Sequence, residues 1–247
     1  ISGSAFVKIN TPVSWDLIKK YNVLCHDEIN GKIELVVSGP PFPYTYSKDG
    51  GITFENNGGN FLNLAAATYN IVVKDSNNCI HISPAPITIL NPDKISVTTL
   101  SKVNLICAGS SNGSITLTAA GGDISTNGTY NYMLDNNLAT TNTFGVFNGL
   151  SAGNHIISII DNNNCRLDST VNLIEPSAIV FQSQNKTDIT TCYGLNDGTI
   201  TVNATGGTGT IEYSRDLLSW QSLGNFTGLL AGSYQITARD DNNCTLN

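Results

Sequence analysis

Residues 107–122 read CAGSSNGSITLTAAGG. From Gly113 onward polar and apolar residues alternate, with Ile115, Leu117 and Ala119 on one side and Ser114, Thr116 and Thr118 on the other. A period of two places one side of an extended chain in a core and the other in water, so the stretch is predicted to be a half-buried β-strand. The glycine pair that ends it is a turn signal.

The pattern occurs three times. Cys25, Cys107 and Cys192 open it, at intervals of 82 and 85 residues. Counting forward from each opening cysteine without gaps, Gly31, Gly113 and Gly198 stand six residues on, and Ile33, Ile115 and Ile200 eight. Leu35, Leu117 and Val202 follow at ten, and Val37, Ala119 and Ala204 at twelve. A second block ends at the closing cysteines Cys79, Cys165 and Cys244. Counting back from them, Phe61, Phe147 and Phe226 stand at eighteen, and Leu64, Leu150 and Leu229 at fifteen. Tyr69, His155 and Tyr234 stand at ten. Ile71, Ile157 and Ile236, then Val73, Ile159 and Ala238, form another alternating strand that runs into Asp75, Asp161 and Asp240.

Between the blocks lie GPPFPYTYS, GGDISTNGTYNYM and GGTGTIEYS, whose Tyr46, Tyr132 and Tyr213 mark one further strand. After the closing cysteines, IHISPAPITILNP and RLDSTVNLIEP predict a last strand ending at Pro92 and Pro176. The units are therefore 1–92, 93–176 and 177–247, and the third, which stops three residues after Cys244, is expected to lack its last strand. About seven short strands per unit at regular spacing predict an all-β chain: three tandem immunoglobulin-like Greek-key β-sandwich repeats arranged end to end. LAAATY and LLAGSY are similar to a tyrosine corner, for which unit two has His155.

Composition fits many short strands joined by turns: 13% charged residues, with 31 Asn beside abundant Gly, Ser and Thr. A net charge of −7 with only 12 Lys and Arg argues against nucleic-acid binding and against anionic membrane surfaces. No apolar run is long enough to span a bilayer, and the first residues lack the basic-then-apolar order of a signal peptide, as expected for an interior fragment.

The units resemble the SprB-type repeats of Bacteroidetes gliding-motility adhesins. The resemblance is carried by CAGSSNGSITLTAAGG with LSAGNHIISIIDNNNC in unit two, and by CYGLNDGTITVNATGGTGTIEYS with LLAGSYQITARDDNNC in unit three. Unit one diverges, since CHDEINGKIELVVSG lacks the Cys-x-Gly start and LAAATY replaces the usual Ala-Gly. The resemblance implies a non-catalytic segment of a large secreted cell-surface adhesin, exported by the type IX pathway and associated with the outer membrane through its parent protein. It would act as a stalk or multivalent array in surface adhesion and gliding motility. Its partners would be neighbouring repeats of the chain and a surface polysaccharide or another cell-surface protein. A carbohydrate-binding or accessory module of a secreted enzyme is the alternative. Independently of family, units alike in framework and unlike in loops suit reach and multivalency. Three sandwiches joined at Pro92 and Pro176 would span on the order of 100 Å.

Six cysteines in this threefold pattern suggest one simple pairing, opener with closer inside each unit: Cys25–Cys79, Cys107–Cys165 and Cys192–Cys244. Each such loop would stabilise its unit by about 4 kcal/mol in the chain-entropy model. Six free buried thiols are the alternative. Zinc is disfavoured, because Cys25, His26, Cys79 and His81 have no histidine counterparts in the other units. The Asp-x-Asn-Asn before each closing cysteine has two readings, a calcium loop on Asp75, Asp161 and Asp240 or an Asx turn. One carboxylate and two amides supply too few oxygens for calcium, so the turn is preferred and no cofactor is expected. His26, His81 and His155 occupy non-equivalent positions and no nucleophile recurs with them, so no shared catalytic site is predicted. Trp220 with Tyr213 is the one aromatic pair that could stack on a sugar, and Trp15 is expected to pack.

Overall fold

The computed structural model describes residues 12–39, 42–190 and 194–247, so Cys192 lies outside the described residues. Among them every regular element is a strand. Repeat one carries β1 (Ser14–Tyr21), β2 (Gly31–Ser38), β3 (Thr45–Ser47), β4 (Asn60–Leu64), β5 (Ala67–Tyr69), β6 (Val72–Lys74), β7 (Ile80–Ile82) and β8 (Ile87–Ile89). Repeat two carries β9 (Ser96–Val103), β10 (Gly113–Ala120), β11 (Asn131–Leu134), β12 (Asn137–Asn142), β13 (Val146–Leu150), β14 (Gly153–Ile160) and β15 (Arg166–Leu173). Repeat three carries β16 (Val180–Thr187), β17 (Gly198–Thr205), β18 (Glu212–Ser214), β19 (Asn225–Leu229), β20 (Thr237–Arg239) and β21 (Thr245–Leu246).

The strands and their loops pack into two compact bodies. The first runs to Ser96 and takes in Ala119–Tyr130 and Ile160–Leu167, and the second comprises Val97–Thr118, Asn131–Ile159 and Asp168–Asn247.

In the first body, one sheet has the order β1-β2-β4, a second β3-β6-β7, and β5 pairs with β8. The strand pairings of this body are antiparallel, with Ile33 opposite both Lys20 and Phe61. Ile33, Leu35 and Val37 from β2 meet Phe61 and Leu64 from β4, Tyr46 from β3, Val73 from β6, and Ile87 and Ile89 from β8 in one core. Two sheets sharing one apolar layer is the section of a β-sandwich. Burying each large aliphatic side chain here contributes about 1.5–3 kcal/mol.

The second body holds four small sheets, ordered β13-β10-β9, β12-β11-β14-β15, β16-β17-β19 and β18-β20-β21. The alternation read from residues 113–120 puts Ile115 and Leu117 fully inside, with Phe147, Leu150, Ile157, Ile159, Val171 and Leu173 also buried. In repeat three Val202, Ala204, Phe226, Leu229 and Ala238 are buried, whereas Ile200 and Ile236 are only half-buried. No helix long and apolar enough to cross a membrane is present among the described residues.

Candidate functional site: the joint between repeats

The Asp-x-Asn-Asn-Cys stretches all form the same turn. Asp75 Oδ1 accepts the N–H of Asn77 and of Cys79, each at 2.9 Å. Asp161 Oδ1 accepts from Asn163 at 2.9 Å and Cys165 at 2.8 Å. Asp240 Oδ1 accepts from Asn242 and Cys244, both at 2.9 Å. Asn78, Asn164 and Asn243 take positive φ of 64°, 65° and 61°, which asparagine tolerates. The second carboxylate oxygen is engaged as well: Asp161 Oδ2 accepts Asp123 N and Asp240 Oδ2 accepts Thr208 N, each at 2.8 Å. Asp75 Oδ2 lies 3.3 Å from His81 Nε2. Burial opposes ionisation of Asp75, but the Cys79 N–H, the His81 ring and the Asn77 N–H outweigh it and hold its carboxyl below the usual range. Oxygens that already face N–H donors are not arranged as a calcium shell. Among the described residues no group of three or more His, Cys, Asp or Glu is placed to hold a metal ion.

Glycine is required beside these turns. Gly122 (φ +65°) and Gly207 (φ +67°) lie against the aspartates, and an added Cβ would come within 2.6 Å of Asp161 Oδ2 or 2.8 Å of Asp240 Oδ2. Their N–H groups donate to Asp93 O and Ser177 O, each at 2.7 Å, just past the boundary prolines.

The opening loops are equally regular. Leu24 N donates to Asn30 Oδ1 at 2.9 Å, and Ile106 N to Asn112 Oδ1 at 3.1 Å. Two residues after each cysteine, Asp27 N donates to Asn91 Oδ1 at 3.0 Å and Gly109 N to Glu175 Oε2 at 2.6 Å. Asn91 and Glu175 immediately precede Pro92 and Pro176, so each opening loop is fastened to the linker leading into the next repeat.

Within each body, an opening loop also meets the closing turn of the next repeat. Cys25 is disulfide-bonded to Cys165 and Cys107 to Cys244, with Cα atoms 5.5 and 5.6 Å apart. Asn163 Nδ2 donates to Leu24 O at 3.2 Å, and Asn242 Nδ2 to Ile106 O at 3.5 Å, beside the respective bonds. This overturns the expected pairing inside units: Cys25 does not bond Cys79, nor Cys107 Cys165, nor Cys244 Cys192. Cys79 is a free, exposed thiol.

The strand path keeps Cys25 and Cys79 apart. Gly31, which begins the strand after Cys25, lies opposite Leu64, whereas Lys74, which ends the strand before Cys79, lies opposite Thr45 beyond the other end of β2. Eight residues from Ala67 to Lys74 separate the two ends, a rise of about 25 Å, while bonded cysteines need Cα atoms within about 7 Å. Cys25 and Cys79 therefore cannot meet.

At the tenth residue before each closing cysteine, Tyr69 donates to Ala65 O at 2.9 Å and Tyr234 to Leu230 O at 3.0 Å. His155 makes the equivalent contact, Nε2 to Ser151 O at 3.0 Å, and its Nδ1 lies 2.8 Å from Asp135 Oδ2. Both partners are acceptors, so both ring nitrogens donate only in the imidazolium form. Burial works against that charge, but the Asp135 carboxylate and the Ser151 carbonyl outweigh it and raise the pKa of His155. His26 is separate, its Nδ1 2.8 Å from Pro92 O. The aromatic pair is not an exposed platform: Tyr213 is buried with its hydroxyl accepting Ala204 N, and the Trp220 ring is covered by the Arg239 guanidinium at 4.0 Å. Trp15 packs against the first core. The opening-loop asparagines Asn30 and Asn112 were missed, although their constant spacing of five residues from the cysteine was there to find.

Residues 99–139 and 183–214 match the SprB repeat family. No curated protein matches the chain. Among solved structures, a 282-residue C-terminal fragment of intimin, in complex with the intimin-binding domain of the translocated intimin receptor, is similar at 16% identity and a TM-score of 0.36, over 68% of this chain and 67% of that one. A Dscam structure concerned with isoform specificity is similar at 12% identity and a TM-score of 0.23, over 93% of this chain and 71% of that one.

Proposed function

From the premise that this chain carries SprB-type repeats, we propose that it is a non-catalytic segment of a large secreted cell-surface adhesin, serving as a stalk or multivalent array in surface adhesion and gliding. The observation that carries the reading is the recurrence of one joint, opening cysteine to next closing cysteine, at both junctions. Disulfides persist outside the reducing cytosol, which agrees with an extracellular site reached by the type IX pathway. A bond across each junction fixes neighbouring repeats to one another, and supports an end-to-end arrangement of the units 1–92, 93–176 and 177–247. It also carries tension past the linkers at Pro92 and Pro176. Neighbouring repeats are thus the partners of each unit, and a surface polysaccharide or another surface protein is the adhesive target of the whole.

The test is to delete codons 1–247 in frame in cells that display the parent protein. Loss of surface attachment or gliding, with secreted hydrolytic activities unchanged, is the expected result. Unchanged attachment with loss of a polysaccharide-degrading activity would instead establish an accessory module of an enzyme.

A further inference from the structure

Each repeat closes one hairpin on the tyrosine of its middle strand. Tyr46 pairs with Glu55, Tyr132 of β11 with Asn142 of β12, and Tyr213 with Gln221. The loops between differ in length and sequence, yet each carries one aliphatic residue at the same place: Ile52 and Leu138 six residues after the tyrosine, Leu218 five. These are the three most exposed large aliphatic side chains among the described residues, at 84%, 81% and 87%. Repeat two has a repeat on either side, and its tip is as exposed as the others. A single exposed aliphatic residue is ordinary on a protein surface. The same extreme at one place in three diverged loops is a feature of the repeat.

The backbone beneath each tip is braced. In repeat one Ser47 Oγ accepts Gly51 N at 2.9 Å, and Asp49 Oδ1 accepts the N–H of Ile52 itself at 3.1 Å. In repeat three Ser214 Oγ accepts Leu217 N and Asp216 Oδ1 accepts Leu218 N, each at 2.9 Å. In repeat two the turn is tied to β14, with Asp135 N donating to Ile156 O at 2.7 Å and Asp135 Oδ1 accepting Ile156 N at 2.8 Å. Leu217 takes φ +61° at the place of Gly50, whose φ is +77°. Leucine is strained in that conformation and glycine is not, so repeat three sets a second apolar side chain, 62% exposed, beside Leu218 against its own backbone preference.

Resting on the adhesive reading above, we infer that these tips hold the chain to a neutral apolar surface, each laying its aliphatic side chain on it. The three loops share that side chain and an aspartate already engaged with backbone N–H groups, and little else: Lys48 and Arg215 stand by two tips, Asn136 and Asn137 by the third. A shaped protein pocket that fitted one tip would meet the wrong neighbours at the next. Apolar attraction is non-directional and scales with area, so a surface that offers only hydrocarbon accepts all three. An anionic membrane fits less well, since each tip has a carboxylate beside it and the second loop holds no lysine or arginine. Bracing lowers the entropy lost on contact, and one weak contact per repeat adds up along the chain.

The experiment measures release of the intact protein from a methyl-terminated and a hydroxyl-terminated alkanethiol monolayer by surface plasmon resonance. Expected are slow release from the methyl surface and little retention on the hydroxyl one. Ile52→Ser, Leu138→Ser and Leu218→Ser should each speed release from the methyl surface about fivefold, and the triple substitution about a hundredfold. The variants should melt with the unsubstituted protein, because these side chains lie in water. A control triple, Ile82→Ser, Ile174→Ser and Leu230→Ser, removes other exposed aliphatic residues, one from each repeat, and should leave the release rate unchanged. Release of the tip triple at the unsubstituted rate, an equal effect of the control triple, or equal retention on both monolayers would overturn the inference. If the in-frame deletion abolishes attachment while any of these holds, the adhesive reading stands and the apolar target falls.

Discussion

Cys25 and Cys165 are 140 residues apart in sequence and share a disulfide, although Cys79 is much nearer along the chain. With Cys107–Cys244 the bonds overlap in chain order, so each of the two loops encloses a cysteine of the other. Cys25→Ser, Cys165→Ser and the double substitution remove the same bond and should destabilise the first body equally, by up to about 5 kcal/mol in the chain-entropy model. Denaturant unfolding of the three variants checks this. A Cys165→Ser protein that instead matches Cys107→Ser would restore pairing inside the repeat.

Tension applied at the two ends follows the bonds: from residue 1 to Cys25, across to Cys165, back along repeat two to Cys107, and across to Cys244. Only about a third of the residues lie on that path, so the oxidised chain should extend to roughly 300 Å and the reduced chain to roughly 800 Å. Single-molecule pulling with and without reductant measures the difference. Equal lengths would show that neither bond is formed.

His155 should make the stability of the second body depend on pH. Its folded pKa is raised above the ordinary value of 6.5, so its stabilisation is complete below that value and is lost as pH rises through the raised one. The melting temperature should therefore fall as pH rises above about 6.5. His155→Tyr restores the hydroxyl seen at Tyr69 and Tyr234 and should flatten that dependence while the protein stays folded. A slope unchanged in the tyrosine variant would assign it to another group.

Asp161→Ala leaves the half-buried N–H groups of Asp123, Asn163 and Cys165 without their acceptor and should cost about 3 kcal/mol. Calcium chelation of the unsubstituted protein should leave its melting temperature unchanged. A fall of many degrees on chelation would mean that these aspartates hold an ion.

The strands and most of the core were legible because a period of two is visible in any one copy and the copies agree: Ile33 and Ile115 were placed inward and are fully buried. Ile200 departs because what covers it in the other repeats is a strand from the end of the unit, a contact that alternation cannot report. The Asp-x-Asn-Asn turn was legible for a local reason, since an aspartate that caps N–H groups two and four residues ahead acts entirely within its own five residues. The disulfide partners were not. Repetition makes every opening cysteine equivalent to the others, and spacing cannot distinguish a closing cysteine in the same repeat from one in the next. Only the path of β4 to β6, which carries Cys79 to the end of the sandwich away from Cys25, decides it. His155 looked like a gap in the tyrosine series, yet its ring reaches the same carbonyl because imidazole and phenol both carry a donor at the far edge.

The pairing itself is read most directly by digesting unreduced, alkylated protein and identifying the cross-linked peptides by mass spectrometry. Expected are one species joining the peptide of Cys25 to that of Cys165, another joining Cys107 to Cys244, and alkylated Cys79. Peptides joining Cys25 to Cys79, or Cys107 to Cys165, would contradict it.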